Sequence, residues 1–227
     1  MSKVSRLKVL TTLLETGLVP LFYHDDPEIA ARVIQACLDG GARCIEFTNR
    51  GDGAHLVFTE LVRRFKDAPD LILGAGTVFD APTAALFLQL GANFIVGPTF
   101  NPEVARLCNR RMVAYIPGCA TTTEISAAQE LGVEICKIFP GGELGGPEFI
   151  RSVHGPLPWA RLMPTGGVAP EEENVSAWMR AGAAAVGLGS KLISAKILAA
   201  GDFAPLTASV RSVLAWIQEA RQGAPLL

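Results

Sequence analysis

The chain has 227 residues, 49% of them hydrophobic, and carries 20 basic residues against 22 acidic ones. That length and apolar content fit a single α/β domain over 1–227 with a substantial core, and the balanced charge lacks the cationic surplus that nucleic-acid backbones attract, so no nucleic-acid partner is expected beyond what a local basic pocket allows. The cysteines Cys37, Cys44, Cys108, Cys119 and Cys136 form no C-x-x-C pair, and His24, His55 and His154 lie far apart in sequence, so a structural zinc site is not expected.

Taken in order, Met1-Ser2-Lys3-Val4-Ser5-Arg6 has no long apolar run behind it and reads as the start of an amphipathic helix over 3–16 rather than a secretory leader, so a cytoplasmic protein is expected. A first strand is predicted at 18–23. Asp26-Pro27-Glu28 then supplies a side-chain cap, a proline in the first turn and an acid near the positive end of the helix dipole. Gly40-Gly41-Ala42 closes that helix ahead of a second strand at 44–49. A third strand follows at 71–77 and a fourth at 94–97, and Asn101-Pro102-Glu103 repeats the capping pattern before a fifth at 113–117. Strands six to eight are predicted at 134–139, 161–165 and 185–189, and a last helix near 204–222 is marked by Leu206, Val210, Val213, Leu214 and Ile217.

Leu90-Gly91-Ala92, Leu131-Gly132-Val133 and Ala181-Gly182-Ala183, like Gly40-Gly41-Ala42, each place glycine after a helical run and before a strand, where a left-handed helix end requires it. The apolar stretch 71–98 does not read as a membrane span, because Asp80, Pro82, Gln89, Gly91 and Asn93 interrupt it at turn positions. Strands alternating with helices imply a parallel sheet, and eight near-continuously apolar strands imply closure. The predicted fold is therefore a (β/α)8 TIM barrel with an N-terminal helix; an open doubly wound sheet is the competing architecture.

Barrels of this kind build their sites at the C-terminal ends of the strands. In Glu134-Ile135-Cys136-Lys137-Ile138-Phe139-Pro140, alternation puts Ile135, Lys137 and Phe139 on one face and Cys136 and Ile138 on the other. If both faces are buried, Lys137 loses proton affinity and becomes an amine that attacks carbonyls; the alternative is a lysine snorkelling to solvent. Glu46, within Cys44-Ile45-Glu46-Phe47, is costly to bury without a partner. It suits the proton transfers of an imine mechanism, or else a structural ion pair with Lys137 or Arg50. Arg50 at the barrel mouth offers a planar fork for a substrate carboxylate, or is a solvated loop residue. Thr165-Gly166-Gly167-Val168 and Gly187-Leu188-Gly189-Ser190 fall in the two loops where barrels commonly bind phosphate, unless they are only tight turns.

Seven segments together resemble the class I 2-keto-3-deoxy-6-phosphogluconate (KDPG) and 4-hydroxy-2-oxoglutarate (KHG) aldolase family. They are Ile45-Glu46-Phe47-Thr48-Asn49-Arg50, Gly74-Ala75-Gly76-Thr77-Val78, Val96-Gly97-Pro98, Ile116-Pro117-Gly118, Lys137-Ile138-Phe139-Pro140, Pro164-Thr165-Gly166-Gly167 and Gly189-Ser190. The resemblance implies that Lys137 forms the Schiff base and Glu46 is the general acid and base. It further implies that Arg50 and Thr77 receive the substrate carboxylate, that Pro98 and Phe139 shape the pocket and Thr165 contacts substrate, and that Gly166, Gly167 and Ser190 hold the distal phosphate. A homotrimer acting on a small keto acid, without cofactor or metal, is implied as well. The chain departs from many relatives in having Pro140-Gly141-Gly142-Glu143 after the lysine and Gly97-Pro98-Thr99-Phe100 at strand four. Both departures flank the pocket and bear on substrate choice.

The implied reaction releases pyruvate and glyceraldehyde 3-phosphate from the phosphogluconate-derived keto acid; the phosphogalactonate-derived one and 4-hydroxy-2-oxoglutarate are alternatives. Two rival functions fit the same fold: an isomerase or epimerase that dispenses with the imine, and a non-catalytic barrel that binds phosphorylated sugar acids.

Overall fold

A computed structural model describes residues 4–222; the expected start at Met1, Ser2 and Lys3, and 223–227 of the expected domain, lie outside the described residues. The first helix, α1 (Arg6–Thr16), is capped by Ser5, whose hydroxyl accepts a hydrogen bond from the Lys8 amide at 3.3 Å. Strands and helices then alternate: β1 (Leu18–Phe22), α2 (Pro27–Asp39), β2 (Cys44–Thr48), α3 (Ala54–Arg64), β3 (Ile72–Gly76), α4 (Ala81–Leu90), β4 (Phe94–Val96) and α5 (Pro102–Arg111). After them come β5 (Ala114–Ile116), β6 (Gly118–Cys119), α6 (Thr122–Glu130), β7 (Cys136–Ile138), α7 (Pro147–His154), β8 (Leu162–Pro164), α8 (Glu172–Arg180), β9 (Val186–Leu188), α9 (Ala195–Ala200) and α10 (Ala204–Arg221).

Every strand pair is parallel, in the order β5-β4-β3-β2-β1-β9 and β6-β7-β8. The fifth strand differs from expectation: Pro117, which has no amide hydrogen to donate, splits it into β5 and β6. The split hands the chain from one ladder to the other, since Gly97 N donates to Ile116 O at 3.1 Å and Lys137 N to Pro117 O at 2.8 Å. A single bridge, Thr165 to Gly187, joins β8 to β9 on the opposite side. The ring thus closes with eight strand positions, and the competing open sheet is set aside.

Helix starts form as their sequences dictate. Asp26 Oδ1 accepts from Glu28 N at 2.7 Å, and Asn101 Oδ1 from Glu103 N at 2.8 Å, ahead of their prolines. Gly41, Gly91, Gly132 and Gly182 take positive φ at the predicted helix ends. The short α9 was not foreseen; at six residues it is too brief to show a hydrophobic period.

Two apolar layers result. An inner cluster fills the barrel axis (Val19, Cys44, Ile72, Phe94, Ile135 and Met163 among it) and is closed at the N-terminal end by Val9, Leu10 and Leu13 of α1. An outer cluster (Ile45, Phe47, Cys136, Ile138 and Leu162 among it) packs the strands against the surrounding helices. Among the described residues, no helix is long and apolar enough to cross a membrane.

Candidate active site at the C-terminal mouth of the barrel

Strand alternation delivers Glu46 and Lys137 to the barrel interior. On β2, Cys44 is an inner-core residue while Ile45 and Phe47 face the helices, so Glu46 points inward; on β7 the same holds for Lys137, between outward Cys136 and Ile138. In a ring of eight positions the second and sixth strands stand opposite, so the two groups enter from facing walls. Glu46 is 1% exposed and Lys137 5%, which rules out a lysine snorkelling to solvent.

Glycines make the room. A Cβ on Gly76, which pairs with Thr48 across β2 and β3, would stand 1.7 Å from Glu46 Oε1. No side chain larger than hydrogen fits there while Glu46 keeps its place. Gly187 performs the same service for Thr165, whose Oγ1 would lie 2.3 Å from an added Cβ. These glycines matter for the space they leave beside a neighbouring group.

Burial works against the charged form of both groups. Neither carboxyl oxygen of Glu46 has a hydrogen-bond partner, so the structural ion pair weighed for this residue is not hydrogen-bonded. Burial raises the Glu46 pKa above the usual carboxylate value, against the opposing pull of the Lys137 and Arg50 charges. Burial likewise holds Lys137 below the ordinary lysine value; the Glu46 charge opposes that shift and the Arg50 charge reinforces it. The Phe139 ring lies 4.9 Å from Lys137 Nζ, beside the amine.

The other expected residues gather at the same mouth. Arg50 is exposed on the loop after β2, its amide bonded to Thr48 O at 3.0 Å. Thr77, directly after β3, has φ 59°, a left-handed conformation that a β-branched residue adopts at a cost of about 1–3 kcal/mol and that gathers at ligand sites. Half-buried Pro98 follows β4, and its carbonyl oxygen sits 2.0 Å from where a Gly118 Cβ would fall. Phe139 is 36% exposed and joined to Pro140 by a cis peptide bond. Thr165 is buried with its hydroxyl unpartnered, Gly166 and Gly167 have φ of 80° and 82°, and Ser190 is exposed after β9.

Reading the chain missed the packing roles of Gly76 and Gly187, and Asn174, whose side chain bonds the loop after β8. The available signal was glycine at alternate, same-face strand positions, Gly74 with Gly76 and Gly187 with Gly189. A cavity of about 480 Å³ lined by Val62, Phe65, Leu90 and Asn93, among others, opens elsewhere on the surface, but its lining holds no buried ionisable group. The unpartnered buried groups at the strand ends decide for the mouth.

A buried amine of lowered proton affinity, facing a buried carboxyl inside a closed parallel barrel, is the equipment of a carbon–carbon lyase acting through a carbonyl. The chain matches the family described as KDPG and KHG aldolase over residues 9–209, and it belongs to that family. It is 32% identical over 209 residues to the 2-dehydro-3-deoxy-phosphogluconate aldolase of Treponema pallidum, covering 92% of this chain and 97% of that one. It is 30% identical over 205 residues to the KHG/KDPG aldolase of Escherichia coli, covering 89% and 93%. A solved structure described as native KDPGal superposes with a TM-score of 0.79 at 29% identity, covering 90% of this chain and 96% of that chain.

Proposed function

We propose that this aldolase cleaves 2-keto-3-deoxy-6-phosphogluconate to pyruvate and glyceraldehyde 3-phosphate through an imine on Lys137. The observation that carries the reading is the buried, unpartnered Glu46 carboxyl facing a buried lysine amine. The Lys137 amine adds to the C2 carbonyl, and Glu46 supplies the proton with which water departs, leaving an iminium. Removal of the C4 hydroxyl proton, by Glu46 through a water molecule, breaks the C3–C4 bond. The electron pair moves into the iminium to give an enamine as the aldehyde leaves. Protonation at C3 and hydrolysis then release pyruvate and regenerate the amine.

Around this centre, Arg50 and Thr77 take the C1 carboxylate, the guanidinium through a charge-assisted pair. Pro98 and Phe139 wall the pocket, Thr165 offers its free hydroxyl, and Gly166, Gly167 and Ser190 take the distal phosphoryl group. No metal or organic cofactor enters the proposed steps.

A coupled assay of pyruvate release, run on the phosphogluconate- and phosphogalactonate-derived keto acids and on 4-hydroxy-2-oxoglutarate, tests the assignment. The highest kcat/KM is expected on the first; pyruvate release from none of the three overturns it. A preference for the second substrate would match the relative described as KDPGal.

The reading includes a homotrimer in the cytoplasm. Exposed Leu56 on α3, Phe79 after β3 and Leu86 on the neighbouring α4 supply apolar surface for self-association. Light scattering is expected to give three times the 24.0 kDa chain mass, and a monomer mass rejects the trimer. The five cysteines are free and buried, which suits a reducing compartment; recovery in a secreted fraction would contradict that placement.

A further inference from the structure

The turn from Thr165 to Ala169 is gripped from two sides. On one flank stands Asn174, in the first turn of α8. Its Oδ1 accepts from Ala169 N at 2.8 Å and its Nδ2 donates to Gly167 O at 3.4 Å. On the other flank is the loop after β7, where Gly141 N donates to Thr165 O at 2.9 Å and Gly142 N to Gly166 O at 3.0 Å. The second contact is backbone against backbone: a Cβ on Gly167 would lie 2.5 Å from Gly142 Cα, and one on Gly142 would lie 3.0 Å from Gly167 Cα.

The carbonyl oxygens of Thr165, Gly166 and Gly167 are therefore all engaged by donors outside the turn. A trans peptide is planar, with its C=O and the following N–H pointing in opposite directions. Fixing three successive carbonyls consequently turns the N–H groups of Gly166 and Gly167 away from the loop after β7 and that of Val168 away from Asn174. Left-handed φ at Gly166 and Gly167 sets the turn between those planes.

We propose that Asn174, together with the Gly141-Gly142 backbone, is a positioning element that aims these N–H donors at the phosphoryl group and thereby sets the preference for phosphorylated over unphosphorylated keto acids. The proposal rests on the reading of Gly166 and Gly167 as the phosphoryl contact. Asn174 touches neither the substrate nor the reacting atoms in this scheme.

The test compares wild type, Asn174→Ala and Gly142→Ala on 2-keto-3-deoxy-6-phosphogluconate and on its unphosphorylated counterpart, with borohydride trapping of pyruvate as a third measurement. Loss of the Asn174 bonds is expected to raise KM for the phosphorylated substrate about tenfold with a smaller change in kcat. KM for the unphosphorylated substrate and the extent of pyruvate trapping on Lys137 should hardly change. Gly142→Ala, which presses on the turn from the other flank, should give the same selective rise, and it keeps the test open should Asn174→Ala fold poorly. Equal rises in KM on both substrates, or unchanged KM on the phosphorylated one in both variants, would overturn the positioning role. Equal kcat/KM of the wild type on the two substrates, with pyruvate trapping intact, would overturn the phosphoryl reading beneath it while leaving the imine mechanism standing.

Discussion

Lys137→Ala is expected to lower kcat/KM for pyruvate release by at least about four orders of magnitude, because it removes the amine proposed to form the covalent intermediate. Lys137→Arg should fail almost as completely, since a guanidinium stays protonated and is not a nucleophile at any working pH. Borohydride with pyruvate should leave one stable adduct on the wild-type protein, at Lys137, and none on either variant. The direction of the Lys137 shift adds a pH signature. Only the free amine attacks, so adduct formation should rise with pH through the native Lys137 pKa and level off below the ordinary lysine value of about 10.4. An adduct on another lysine, or substantial activity in Lys137→Ala, would dismiss the imine and favour an isomerase or epimerase built on the same barrel.

That prediction draws on features the chain discloses unevenly. The facing positions of Glu46 and Lys137 were legible, because the period of two along Cys44-Ile45-Glu46-Phe47 and Ile135-Cys136-Lys137-Ile138 assigns each residue a side once both sides are buried. Ring closure was legible from the number of apolar runs. The break at Pro117 was less so: proline forbids one ladder bond, but which neighbour takes over the pairing depends on barrel geometry. Least legible was the purpose of Gly76 and Gly187. A glycine in a strand signals close approach without naming what approaches, and here the partners, Glu46 and Thr165, sit about 30 and 20 residues away in sequence. The grip of Asn174 on Gly167 and Ala169 was hidden for a different reason: an asparagine in a first helical turn reads as an ordinary local cap.

Glu46→Gln should separate activity from stability. The variant keeps the shape of the side chain and removes its proton transfer, so kcat for cleavage is expected to fall by about two to four orders of magnitude. Pyruvate should still be trapped on Lys137, though more slowly, and over a pH range displaced downward, because the Glu46 charge is the influence that raises the Lys137 pKa. Stability should move the other way. Burial raises the native pKa of Glu46 above the unfolded value of about 4.3, so between those two values the native state holds a proton that the unfolded chain has lost. Unfolding free energy therefore falls as pH rises through that window, by about 1.4 kcal/mol for each tenfold difference in proton affinity, and stays lowered above it. Glutamine has no such proton to lose. The unfolding midpoints of the two proteins should converge near pH 4 and separate as pH rises, with Glu46→Gln the more stable at neutral pH. A variant less stable than wild type at neutral pH by the same margin as at pH 4 would mean that the buried carboxyl is held by favourable contacts, contrary to its unpartnered oxygens. Loss of cleavage accompanied by a gain in stability is the mark of a group kept for chemistry at a cost to the fold.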